Sequence, residues 1–215
     1  MNAVFMGIPL RIGAGTLVPR PETELLAETA IARLGSEGRE TPRVIDMCCG
    51  VGNLAIAIAN GVPAASVWAS DLTTPCVETT RHNVEMNRLT ERVKVAQGDL
   101  FAGLGGQGLE GGVDLIVCNP PYISTERLSR DRAHLLEKEP REAFDGGPYG
   151  LSIHQRVVTE ALAFLRPGGW LMFEFGEGQA RQLRILFDRA RAYDSPHFLQ
   201  DRTGAERVAA ARRRP

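Results

Sequence analysis

Cysteine is scarce in this chain, four among 215 residues, and aromatic side chains make up only 6%. Cys48, Cys49, Cys76 and Cys118 contain no C-x-x-C pair. That spacing argues against a zinc site, and no metal is expected; reduced thiols in a cytoplasmic protein are the expected state. No charge sign dominates either. The formal net charge is −1 and the isoelectric point is near 6.4, so the chain exerts no global pull on nucleic acid, and direct nucleic-acid reading is not expected. The one dense basic run, Arg212-Arg213-Arg214, reads as a solvated tail. No stretch approaches the roughly 20 apolar residues of a membrane span. The start, Met1-Asn2-Ala3-Val4-Phe5, lacks the basic and apolar regions of a signal peptide. His82, His134, His154 and His197 are dispersed, with no Ser-His-Asp or Cys-His arrangement around them. What remains, at 43% hydrophobic composition, is one domain with a sizeable core, expected to occupy residues 1–215.

The chain alternates strand and helix patterns. Residues 43–53 read as a strand running into a tight glycine-containing turn, and 54–60 as a helix stopped by Gly61. Further strands are expected at 66–70, 93–96, 113–118, 170–175, 197–200 and 207–211. Helices are expected at 22–34 (Pro21 in its first turn, Gly35 its stop), 73–86, 151–165 and 176–192. This alternation predicts an α/β fold, doubly wound, with a mostly parallel sheet and helices on both faces. Residues 124–141, polar and charged, read as a lid or short helices over the substrate. The loop 103–108 contains Gly-Gly-Gln and reads as a flexible connection.

Asp46, Asp71, Asp99 and Asn119 each close or follow a successive strand candidate, and ligands of open α/β sheets bind at those carboxyl ends. The strand–glycine loop–helix corner over Asp46, Cys48, Cys49, Gly50, Val51 and Gly52 is a nucleotide-binding arrangement. Asp71, after the next strand, is placed to accept both ribose hydroxyls. Asn119-Pro120-Pro121-Tyr122, directly after an apolar strand, suits a planar NH₂ group. The Asn side-chain oxygen accepts one N–H and a backbone carbonyl ahead of a proline accepts the other. The Tyr ring offers a stacking face, and the prolines stiffen the loop. A plain proline-rich turn remains the alternative for these four residues taken alone.

Together these segments resemble the class I S-adenosylmethionine-dependent methyltransferases. Within them the chain looks like the glutamine N5-methyltransferases that modify release factors or ribosomal protein L3. Four more stretches carry that resemblance: Leu17-Val18-Pro19-Arg20-Pro21-Glu22-Thr23-Glu24-Leu25; Glu139-Pro140-Arg141-Glu142-Ala143-Phe144-Asp145-Gly146-Gly147; Leu165 through Gly176 with Gln179; and Asp201 through Arg207. The resemblance implies a Rossmann-like sheet of seven strands with a C-terminal antiparallel hairpin, and S-adenosylmethionine as cofactor. It implies Asp99 against the adenine amino group with Leu100 beside the ring. Backbone from Cys48 to Gly52 then faces the methionine part, and Asn119, Pro120, Pro121 and Tyr122 hold the acceptor. Cys48 stands where the family usually has glycine, which is tolerable if its φ stays negative. The family usually carries a helical N-terminal domain, whereas this chain begins almost at the catalytic domain. That difference favours a small-molecule acceptor, while the matches beyond the cofactor loop favour a protein one; the acceptor is expected to be a glutamine amide of a release factor or ribosomal protein, with a small-molecule acceptor and a non-catalytic cofactor-binding module as alternatives.

Overall fold

The computed structural model describes residues 1–130 and 140–215. His134, Glu139 and the middle of the expected lid lie outside the described residues. The frame is a seven-stranded sheet formed by β3 (Arg43–Met47), β4 (Ser66–Asp71), β5 (Val93–Gln97), β6 (Val113–Cys118), β7 (Leu165–Glu174), β8 (His197–Gln200) and β9 (Glu206–Arg212). Spatial order is β5-β4-β3-β6-β7-β9-β8. Neighbours from β5 through β7 are parallel, and β9 runs antiparallel to β7 and β8. The expected fold class, terminal hairpin included, is the observed one.

Alternation along the strands divides the core into two layers. Val44, Val67, Leu115 and Val117 face α1 (Glu24–Glu37) and α2 (Asn53–Gly61). Ile45, Met47, Ile116 and Cys118 face the other side, against α5 (Ser152–Glu160) and α6 (Ala180–Ala190). The strands read as continuous apolar runs because both faces are covered. α3 (Thr74–Met86) joins β4 to β5, with its Pro near the start where no N–H is needed. α4 (Thr125–Arg130) follows the Asn-Pro-Pro-Tyr loop. Among the described residues no helix is long and apolar enough to cross a membrane. Residues 105–108, with the Gly-Gly-Gln tripeptide, are exposed on the connection to β6.

Several boundaries differ from the sequence expectation. A two-stranded hairpin, β1 (Asn2–Phe5) and β2 (Ile8–Arg11), precedes the sheet. Its two-residue turn places Met6 at φ 49 and Gly7 at φ 77. Asn-Gly is the usual signal for such a turn, and Met in the first position conceals it. α1 passes through Gly35 and stops at Gly38, which takes the left-handed φ of 62. The helix expected at 151–165 ends as α at Glu160, tightens to a 3₁₀ turn over Ala161–Ala163, and gives way to a strand from Leu165. Leu165 pairs with Val113 and Trp170 with Leu115, so residues 166–169 bulge out of register. Pro167 and Gly168 made that bulge look like a helix stop.

The chain winds from β3 outward through β4 and β5, then crosses back to β6 on the other side of β3. Met47 and Cys118 are register partners. The loops that leave β3 and β6 therefore diverge from one point, the switch point at which such sheets open a crevice.

Candidate active site

Two cavities lie over that switch point. The first, about 540 Å³, is walled by the ends of β3, β4 and β5, with Leu17, Leu72, Cys76, Leu100 and Ile153 as apolar lining and Asp71, Asp99, Glu142 and Asp145 as acids. The second, about 630 Å³, is lined by Pro120, Tyr122, Phe144, Tyr149, Glu174, Gln179, Arg20, Arg127 and Arg207, among others. Both sizes fall in the usual range for ligand sites. Leu17, Asn119 and Ala143 line both cavities, so the two meet around these residues.

Asp71 ends β4 and anchors the turn beside it. Its Oδ2 accepts from Gly50 N at 2.9 Å, and its Oδ1 from Thr73 N at 3.0 Å and Thr73 Oγ1 at 3.3 Å. A carboxylate has about four lone-pair sites, so these bonds leave Asp71 with capacity to accept from a ligand. Asp99 also lines this cavity and accepts from Arg156 Nη1 at 2.8 Å. Gly50 has φ 58, and the space where a Cβ would sit is open.

Other residues of the expected cofactor loop stand behind the wall. Cys49, Val51 and Gly52 are not among the lining residues. A Cβ on Gly52 would meet Thr80 Cγ2 at 2.8 Å, so this glycine serves the close packing of α2 on α3. Asp46 is fully buried. Its Oδ2 accepts from Ala55 N at 2.9 Å, while Oδ1 has no partner. Burial raises its pKa from 3.8 to about 8, against the opposing pull of the Ala55 N–H and with a smaller push from Asp71.

Cys48 lines the cavity but contradicts the expectation of a negative φ: it sits at φ 57. Leu100 does the same at φ 49. Two side-chain-bearing residues in left-handed backbone, both on one cavity wall, mark local strain of the kind found at functional sites. Neither is visible in propensity.

At the junction, Asn119 Nδ2 donates to Thr23 Oγ1 at 3.1 Å. Thr23 Oγ1 donates to Glu174 Oε2 at 2.7 Å, and Tyr122 Oη donates to Glu174 Oε1 at 3.1 Å. Glu174 closes β7 and is 1% exposed. Burial pushes its pKa up, and the hydrogen bonds from Thr23 and Tyr122 hold it back. Burial likewise pushes the Tyr122 phenol up.

The Asn119–Tyr122 loop is gripped by its neighbours. Gln179 Nε2 donates to Tyr122 O at 3.0 Å, while Gln179 Oε1 accepts from Gly176 N at 2.9 Å. A Cβ on Gly150 would collide with Tyr122 O, and one on Gly146 would lie 2.7 Å from Pro121 O. Only glycine allows residues 146–150 to lie against that loop. Asp145 braces the same segment, accepting from Thr125 Oγ1 at 2.6 Å, Arg141 Nε at 2.9 Å and Gly147 N at 3.0 Å. The Thr125 hydrogen bond is the main reason its pKa is lowered. Sequence reasoning assigned no role to Thr23, Glu174 or Asp145. Their only signal was membership of segments that carried the family resemblance.

Residues 22–148 match the family described as methyltransferase small domain. The release factor glutamine methyltransferase of Geobacter sulfurreducens is 36% identical over 208 residues, covering 97% of this chain and 69% of that protein. Its namesake from Bordetella pertussis is 38% identical over 209 residues, covering 95% and 73%. Among solved structures, the N-terminal domain of human METTL16 in complex with SAH matches with a TM-score of 0.68 at 18% identity, covering 95% of this chain and 75% of that one. A methyltransferase from Pyrococcus furiosus matches with a TM-score of 0.66 at 16% identity, covering 97% and 89%. At such identities the structural likeness speaks to the fold, and it is the fold described above.

Proposed function

The chain belongs to the family of release factor glutamine methyltransferases, and from that premise we propose that it methylates the side-chain amide nitrogen of a glutamine in a protein. The acceptor would be of the release-factor or ribosomal-protein type. The methyl donor used by this family is S-adenosylmethionine. The observation that carries the reading is the meeting of two cavities around Asn119.

The first cavity fits the donor in its chemistry. Asp71 would take the ribose hydroxyls, Asp99 the adenine amino group, and Leu100 the ring. Backbone around Cys48 and Gly50 would border the methionine part, where the open space at Gly50 admits a close approach. Asp46, Cys49, Val51 and Gly52 would act from behind, by holding that loop in place. The bound donor supplies an electrophilic methyl group on a sulfonium.

An amide nitrogen is a weak nucleophile because its lone pair is delocalised. Asn119 Oδ1 and the Pro120 carbonyl would accept its two N–H bonds, raising electron density on nitrogen. They would aim the remaining lone pair at the first cavity. These bonds strengthen as positive charge builds on the nitrogen, so they favour the transition state over the ground state. Alignment of two reactants about 3 Å apart supplies much of the rest. The proton departs afterwards to water. Pro121 stiffens the loop, and the Tyr122 ring borders the acceptor.

A protein acceptor is favoured over a small molecule by the rim of the second cavity, where Tyr149 is 85% exposed beside Arg127 and Glu177. A single catalytic domain over residues 1–215, working in the cytoplasm, completes the reading. Incubation with labelled donor and either a release factor or ribosomal protein L3, read by intact mass, tests it. A gain of one methyl group on either protein is expected. No gain on either, with label on a small molecule instead, overturns the protein-acceptor claim.

A further inference from the structure

The hydroxyl chain beneath Asn119 has a direction, and the direction decides which end of the amide reaches the acceptor. Thr23 has one hydroxyl proton. At 2.7 Å from Glu174 Oε2, in a carboxylate whose ionised form the Thr23 and Tyr122 hydroxyls favour against the push of burial, that proton points at Glu174. The Thr23 oxygen can then only accept. Its other partner, 3.1 Å away on Asn119, must therefore be the NH₂ end. A flipped amide would set its oxygen against an oxygen with no proton to share. Glu174 is prevented from turning towards another partner by Tyr122 Oη on its second oxygen, at 3.1 Å. Its backbone is fixed by β7 pairing and by His154 Nε2, which lies 2.9 Å from Glu174 O.

We propose that Thr23 and Glu174 are positioning residues which lock Asn119 Oδ1 towards the acceptor. The inference rests on the reading of Asn119 given above. All protons in the chain then run one way: acceptor N–H to Asn119, Asn119 N–H to Thr23, Thr23 O–H to Glu174. The chain ends on a carboxylate that is 1% exposed, where its charge is little screened. Positive charge developing on the acceptor nitrogen polarises every link in the favourable sense. The second branch, from Tyr122, ties the ring that borders the acceptor to the same carboxylate. One buried group thus sets two contacts of the acceptor.

The bland account is that the two hydroxyls merely satisfy a buried carboxylate. It predicts an effect on stability; the positioning account predicts an effect on turnover. Thr23→Val keeps the shape and removes the relay, Thr23→Ser keeps the relay, and Glu174→Gln removes the charged end. With a release factor as acceptor, Thr23→Val and Glu174→Gln should each lower kcat by about 10- to 100-fold, less than the ~10²–10³ for losing a polar group that meets the reacting centre directly. KM for the release factor and donor affinity by calorimetry should move less than about 3-fold, and Thr23→Ser should return kcat to within about 3-fold of the native value. Equal kcat for Thr23→Val and the native enzyme would overturn the proposal. A substrate-free readout separates this from the reading it rests on. The Asn119 side-chain amide protons should exchange slowly in the native protein and in Thr23→Ser, and fast in Thr23→Val. That pattern in an enzyme inert towards release factors would leave the positioning standing and sink the choice of acceptor. Fast exchange in all three would sink the positioning.

Discussion

Replacing Asp46 by Asn should make the protein's stability less sensitive to pH, in a defined window and with a defined sign. Asp46 lies beneath the loop that leaves β3, with Oδ1 unpartnered and Oδ2 on the Ala55 N–H. Burial raises its pKa from 3.8 to about 8. The folded chain thus retains a proton that the unfolded chain releases. Wherever the folded state binds more protons, stability falls as pH rises. The contribution is fully present below about pH 4 and is lost as pH climbs through about 8. The slope is about 1.4 kcal/mol per pH unit. Between pH 5 and 7.5 the native chain should lose on the order of 3 kcal/mol relative to Asp46→Asn, whose neutral amide cannot titrate. The Asn oxygen keeps the Ala55 N–H, so the hydrogen-bonding loss is small. Urea unfolding of both proteins at several pH values, with equal m-values, measures the difference directly. A stability gap that does not change with pH would show that Asp46 is already ionised at pH 5 and that its environment is wetter than the structure indicates.

Asp71→Ala should weaken donor binding by about 10- to 150-fold, corresponding to ~1.5–3 kcal/mol for hydrogen bonds to a charged group; calorimetry with unchanged affinity would refute the assignment. Part of that loss is indirect, because Gly50 and Thr73 both lean on the same carboxylate. Asn119→Ala should cut turnover by about 10²–10³ while donor affinity falls only modestly; single-turnover kinetics near the native rate would reduce Asn119 to an ordinary loop residue. Gly150→Ala, with φ 71 and a methyl group driven onto Tyr122 O, should cost on the order of 2 kcal/mol and shift the acceptor loop. Thermal unfolding and turnover should both register it, and a variant normal in both would show that residues 146–150 do not hold that loop.

What the sequence makes legible follows from what is local. Apolar runs bounded by Gly and Pro locate β3 to β6, and the carboxyl-end residues Asp46, Asp71, Asp99 and Asn119 fall where the topology brings strand ends together. The β1–β2 hairpin is hidden because Met occupies a turn position that Asn usually marks. The start of β7 is hidden because a bulge at 166–169 carries the same Pro-Gly signal as a helix end. Thr23 and Glu174 are hidden for a different reason. They are 151 residues apart, and each is unremarkable until the other is beside it. Hydroxyl relays have no period and no spacing, so a single chain read along its length offers nothing to find. Cys48 misled in the opposite direction. A side chain argued for negative φ, and tertiary contacts imposed the left-handed value.

That left-handed backbone bears on how a ligand meets the first cavity. Cys48 and Leu100 each give up about 1–2 kcal/mol to hold φ near 50°. A loop free to relax would discard such a conformation. Its persistence means that the surrounding chain, including the hydrogen bond from Ser70 Oγ to Leu100 O, over-determines the shape. The cost of shaping the cavity is therefore met once, during folding, by the stability of the whole domain. It is not charged again to each ligand that arrives. The wall behaves as a finished mould, so entropy lost in loop ordering is small on that side, and affinity there depends on how well a ligand fits a contour already set.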